Sequence, residues 1–169
     1  MRWRNFPLEQ VNSEDEGYRF WEQPVDGAKS LRAFLAAEAV REQSGALVQE
    51  FVFALLQTVH AKKMAVHDPD TIRAAAGEVP DLDVERMLRD MERTELRERI
   101  AGDYRDGHDE LGVFGTPTLR FGDADPVFLK MSPPAPEEDA LALFQSIREL
   151  SQNRPFVQEL KKPRRPERA

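Results

Sequence analysis

The stretch ELGVFGTPTLRFGD, from Glu110 to Asp123, constrains the fold more than any other part of the sequence. Three glycines and a Thr-Pro-Thr turn stand between a polar helical segment and an alternating apolar run, so the chain must pass from helix to strand within a few residues. Gly112 stops the helix, because a residue without Cβ enters the left-handed conformation of a helix end without steric penalty. Pro117 suits the first position of a strand, where no ladder bond from its nitrogen is required. From spacing alone, an ordinary trans Thr116–Pro117 bond suffices; a cis bond turns the backbone more sharply and exposes the peptide groups beside it.

Upstream of this turn the apolar spacing is helical. Residues 27–43 place Leu31, Phe34, Leu35 and Ala39 on one stripe of an alanine-rich helix. In residues 46–63, Val48, Phe51, Val52, Leu55, Leu56 and Val59 face inward, which predicts the buried centre of a helical layer. Asp68 before Pro69, and Asp83 before Val84, Met87, Leu88 and Met91, are N-caps of two shorter helices. Thr94 is predicted to cap a further helix whose apolar face holds Leu96, Ile100, Tyr104 and Leu111.

Beyond the turn, TLRF and PVFLK flank Gly122-Asp123-Ala124-Asp125, which predicts two strands joined by a tight hairpin connection. After SPPAP, a last helix carries Ala140, Leu143, Phe144 and Ile147 on its apolar face. Glu137, Glu138 and Asp139 offset the positive end of its dipole. At the other end, Trp3 and Phe6 before Pro7 read as a short strand running into a loop. The order is strand, a block of about five helices, two strands and a helix, which reads as a helical insertion in an α/β fold.

Length and charge narrow the function. At 169 residues the chain suits one domain, expected over 1–158, with helices from about 27 to 111 and a basic, disordered tail over 159–169. The last nine residues, 161–169, contribute +4 to a net charge of −7, so residues 1–160 carry −11, which argues against nucleic acid as a partner. No apolar run is long enough for a membrane span and MRWRNFPLEQ lacks the features of a secretory signal, so the cytoplasm is the default compartment. His60, His67 and His108 lie far apart and in no metal-binding spacing. There is no cysteine, which excludes disulfides, thiolate metal sites and a cysteine nucleophile in this chain. No P-loop, GxGxxG or GxSxG pattern occurs.

The run ELGVFGTPTLRFGD, with a polar helix before it and a second strand after it, resembles the cis-proline loop of the DsbA-like thioredoxin-fold family. That family includes disulfide oxidoreductases, FrnE-like proteins and hydroxychromene-carboxylate isomerases. SLRAFLAAEAVREQ, FVFALLQTVHAKK and DLDVERMLRDM are similar to successive helices of the family's insertion, and WRNFPLEQVN to its second core strand and following loop. The resemblance spans residues 2–150 and is most specific at GxxGTPT.

The resemblance implies a thioredoxin-like α/β fold with a large all-helical insertion, lacking the family's first strand and first helix. Those elements carry the Cys-x-x-Cys or serine-bearing active site, so no catalytic residue is expected in this chain. Gly115, Thr116 and Pro117 are then expected to bind a small-molecule, peptide or thiol substrate, with Asn12 after the strand that flanks the active site. No cofactor is expected in this chain; a low-molecular-weight thiol suits the complete family member. Without its first strand, the strand bearing Trp3 and Phe6 has no neighbour. Each buried unpaired backbone group costs about 1–3 kcal/mol, against a domain stability of about 5–15 kcal/mol. A truncated form is therefore expected, with in-frame coding sequence upstream that supplies a strand and a C-x-x-C or S-x-x-C; an in-frame stop directly before Met1 contradicts it. Two other readings stay open: a non-catalytic thioredoxin-like binding protein, including a homodimer formed by strand exchange, and a helical scaffold with a surface hairpin and trans Pro117.

Overall fold

The computed structural model describes residues 1–161 and is mixed α and β, mostly helical. In chain order the elements are α1 (Leu8–Val11), a 3-10 turn (Phe20–Glu22), α2 (Leu31–Gln43), α3 (Leu47–His60), α4 (Pro69–Gly77), α5 (Val84–Asp90) and α6 (Thr94–Arg105). A π-helical turn (Asp106–Glu110), β1 (Thr118–Leu119), β2 (Val127–Phe128) and α7 (Glu137–Asn153) complete the order. From α2 to the π-helical turn, helical elements follow one another between Leu31 and Glu110, with α1 and the 3-10 turn before them. Two compact units divide between Phe114 and Gly115, inside the glycine-rich turn.

In the first unit the core is built around α2, which packs against α3, α4, α5 and α6. Its alanines explain this position: Ala33, Ala36, Ala37 and Ala39 are buried beside Leu31, Leu35 and Val40, and short side chains let neighbours approach on several faces. α3, predicted at the centre, instead lies at the side. Val48, Phe51 and Leu55 are buried, but Phe53 is 62% exposed and Leu56 44% exposed, because large side chains need cover on only one face.

Two of the three expected caps form. Asp68 accepts the Asp70 N–H at 2.9 Å and Asp83 accepts the Arg86 N–H at 2.8 Å, each satisfying a donor that the first helical turn leaves open. Thr94 does not cap α6; it is the first helical residue, and the cap position falls on Arg93. The Arg93 guanidinium donates to Glu42 Oε2 of α2 at 2.9 Å, so the chain enters α6 at the residue tied to the central helix.

The N-terminal segment is not a strand. Its backbone is satisfied by side chains: the Asn5 N–H donates to Asp103 Oδ2 at 2.9 Å, and Arg41 Nη2 donates to the Trp3 carbonyl at 3.2 Å. Carboxylate and guanidinium groups from α6 and α2 therefore do what a neighbouring strand was expected to do. Phe6 stacks on Tyr104 with ring centroids 5.3 Å apart.

In the second unit β1 and β2 pair antiparallel in the register Thr118↔Phe128 and Leu119↔Val127. The hairpin is shorter and looser than expected, with residues 120–126 connecting the strands. The next pair in register would set Arg120 against Pro126, which has no N–H to donate, so the ladder stops. Gly122 takes φ +61° in this connection, a conformation that favours glycine. Along α7, Phe144 meets Phe121 edge-on at 5.5 Å, yet Ile147 is the residue that is buried. Ala140 is exposed, Leu143 half-buried and Phe144 exposed, because two-residue strands offer little surface to cover a 17-residue helix. Residues 162–169 of the expected tail lie outside the described residues.

Candidate functional site

The turn over residues 112–118 combines three backbone constraints. Gly112 ends the helical segment at φ +64°, as its sequence position predicts. Gly115 is buried, and a Cβ there would lie 3.1 Å from Phe128 Cε2, so the absent side chain is what lets that ring lie on the turn. The Thr116–Pro117 peptide is cis, as is Ser132–Pro133.

Hydrogen bonding around this turn is uneven. Thr118 Oγ1 donates to the Gly115 carbonyl at 2.6 Å, and the Leu129 N–H donates to the Pro117 carbonyl at 3.0 Å. Between these two engaged carbonyls, the Thr116 N–H and C=O have no hydrogen-bond partner among the described residues, and Thr116 and Pro117 are exposed. β1 pairs only with β2 among the described residues, so its other edge is open. The arrangement offers one donor, one acceptor and a strand edge, the elements by which an extended ligand adds to a sheet.

Gly115, Thr116 and Pro117 are contiguous in the second unit. Asn12 belongs to the first: it is exposed and closes α1, its N–H donating to the Leu8 carbonyl at 2.9 Å. His60 is in the last turn of α3, and the His67 carbonyl accepts from Arg32 Nε at 3.2 Å. His108 Nδ1 lies 2.8 Å from Asp109 Oδ1. Among the described residues no group of three or more histidine or carboxylate side chains could hold a metal ion.

One polar cluster went unseen in the sequence. Glu38, on the buried face of α2, accepts from Asn5 Nδ2 at 2.7 Å and Arg41 Nε at 3.0 Å, while Asp103 accepts a second bond from Asn5 Nδ2 at 2.9 Å and pairs with Arg4. The available signal was Glu38 itself, an acid on the stripe of Leu31 and Leu35 that must be paired once buried. Nearby, Glu42 is held below the usual carboxylate range, first by its hydrogen bond from Arg99, with Arg93 adding to the effect against an opposing contribution from burial.

No family model and no curated protein matches the sequence.

Proposed function

We propose that this chain supplies the ligand-holding wall of a DsbA-like thioredoxin-fold protein, in which Thr116 binds an extended peptide or thiol substrate through its main chain. The observation that carries this reading is the unpartnered Thr116 N–H and C=O beside an open strand edge. The thioredoxin-like assignment rests on the GxxGTPT resemblance together with the order of helical block, hairpin and helix. With no cysteine, the chain itself performs no thiol–disulfide exchange; a thiolate comes from a segment or molecule outside it. A low-molecular-weight thiol such as glutathione fits this role as ligand.

Binding of an extended cysteine-containing peptide, followed by fluorescence anisotropy, tests the reading. Thr116→Ala keeps both main-chain groups and binds like the parent; Thr116→Pro deletes the N–H and weakens binding about tenfold, the loss of one well-formed hydrogen bond. Equal binding by the two variants contradicts main-chain recognition.

A second reading, a non-catalytic binding protein or homodimer, is favoured by the exposure of Leu141 at 68% and Phe144 at 45% on α7. Sedimentation equilibrium decides it, since a monomer at all concentrations excludes the dimer.

A further inference from the structure

A polar, aromatic cleft of 400 Å³ opens in the first unit, and its walls come from α1, the 3-10 turn, the end of α6 and the π-helical turn. Hydrogen bonds and ring contacts tie these walls to one another. Gln10 ties α1 to the following loop, donating to the Tyr18 carbonyl at 3.0 Å and accepting the Phe20 N–H at 2.9 Å. Arg97 donates to the Trp21 and Gln23 carbonyls at 2.6 and 2.9 Å, which holds the Trp21 backbone against α6. Tyr104 lies between Phe6 and His108, with ring centroids at 5.3 and 5.2 Å, and Trp21 leans on it at 5.6 Å. Gly107 permits this packing, since a Cβ there would lie 3.2 Å from Phe6 Cδ2.

The donors along the cleft are unevenly matched by acceptors. Arg19 spends Nη1 on the Glu16 and Tyr18 carbonyls, which leave its charge uncancelled, and Arg105 makes no ion pair among the described residues. The Tyr104 hydroxyl has no hydrogen-bond partner among the described residues and stays protonated: burial first, and then Asp109, push its pKa up, with Arg19 acting in the opposite sense. Two carboxylates also line the cleft, Glu22 and the His108-bound Asp109. They oppose ligands that carry several anionic groups and leave room for one such group.

We propose that this cleft binds a planar ring bearing a single oxyanionic group, the ring against Trp21 and the oxyanion against Arg19, Arg105 and the Tyr104 hydroxyl. An aromatic wall with a few convergent donors suits a small-molecule site, and the volume lies within the usual range of about 300–1,000 Å³. A guanidinium recognises carboxylate and phosphate by the same paired N–H donors, so the two ligand sources share one chemistry. The site is independent of the reading at Thr116 and stands or falls separately.

The chain's two tryptophans make the test direct. In a ¹H–¹⁵N spectrum each indole gives one signal, assigned with Trp3→Phe, and Trp3 Nε1 is buried without a partner, away from this cleft. The full chain is titrated separately with 2-naphthoate, 2-naphthyl phosphate and uncharged 2-naphthol. The Trp21 signal shifts saturably with one or both anions, with Kd below about 1 mM, and the responding anion identifies the source. Replacing both Arg19→Gln and Arg105→Gln, at exposed positions, weakens that binding at least about tenfold while the backbone spectrum is retained. No saturable shift with either anion, equal binding of 2-naphthol, or equal binding by the double variant overturns the proposal. So does a shift confined to Trp3, which would assign the ligand to the separate 310 Å³ cavity lined by Trp3, Arg4 and Arg41.

Discussion

Glu38→Ala measures how far the N-terminal segment depends on side chains in place of a strand partner. The substitution removes a buried hydrogen bond between a carboxylate and Asn5, worth about 1.5–3 kcal/mol for a bond to a charged group. It also removes the pair with Arg41, whose side chain is 26% exposed and whose contribution is therefore about 1 kcal/mol at most. Relief of the desolvated carboxylate works in the opposite direction, and Asn5 keeps its bond to Asp103. A net loss of about 2–3 kcal/mol follows, against about 0.5 kcal/mol or less for Arg73→Ala, which breaks an exposed pair with Glu85. Urea denaturation followed by circular dichroism at 222 nm reads both variants. A Glu38→Ala loss no larger than that of Arg73→Ala refutes the assignment of this cluster as the anchor of the segment.

Three further outcomes follow from the packing and charges. Leu35→Ala, at a position buried in α2, costs about 2–5 kcal/mol by the same denaturation assay, more than Leu56→Ala on the exposed side of α3. Gly115→Val sets a side chain against the Phe128 ring and destabilises the second unit by about 1–3 kcal/mol, read from the hairpin amides by hydrogen exchange. Glu42 is depressed below its usual value of 4.5, so its contribution is present above that value and fades as pH falls through the lower folded value. The stability gap between the parent and Glu42→Gln is therefore full near neutral pH and closes in acid; a gap that widens in acid contradicts the pairing with Arg99 and Arg93.

Local chemistry was readable in the sequence and long-range pairing was not. The helix periods, the caps at Asp68 and Asp83 and the stop at Gly112 depend on residues within a few positions of one another, and all four appear in the structure. Thr94 shows the limit: its cap lost to a contact between Arg93 and Glu42 that no local rule contains. The same holds for α2 and α3. Apolar content pointed to α3 as the centre, whereas the small side chains of α2 decide which helix can be surrounded. Trp3 and Phe6 carry a strand-like pattern, but Asp103 and Arg41, far along the chain, take up the backbone groups that a strand would have paired. At the candidate site, Gly115, Thr116 and Pro117 stood out from the turn pattern, while the role of Gly115 against Phe128 depends on a register that only the folded hairpin reveals.

The most direct measurement is the amide signal of Thr116 in the ¹⁵N-labelled chain, titrated with glutathione and with an extended cysteine-containing peptide. Recognition through the main chain moves the Thr116 signal downfield and saturates it, with smaller changes at Thr118 and Leu119 along the open edge. A Thr116 signal unchanged by both ligands, in a chain whose hairpin signals show it folded, contradicts a ligand-holding role for this turn.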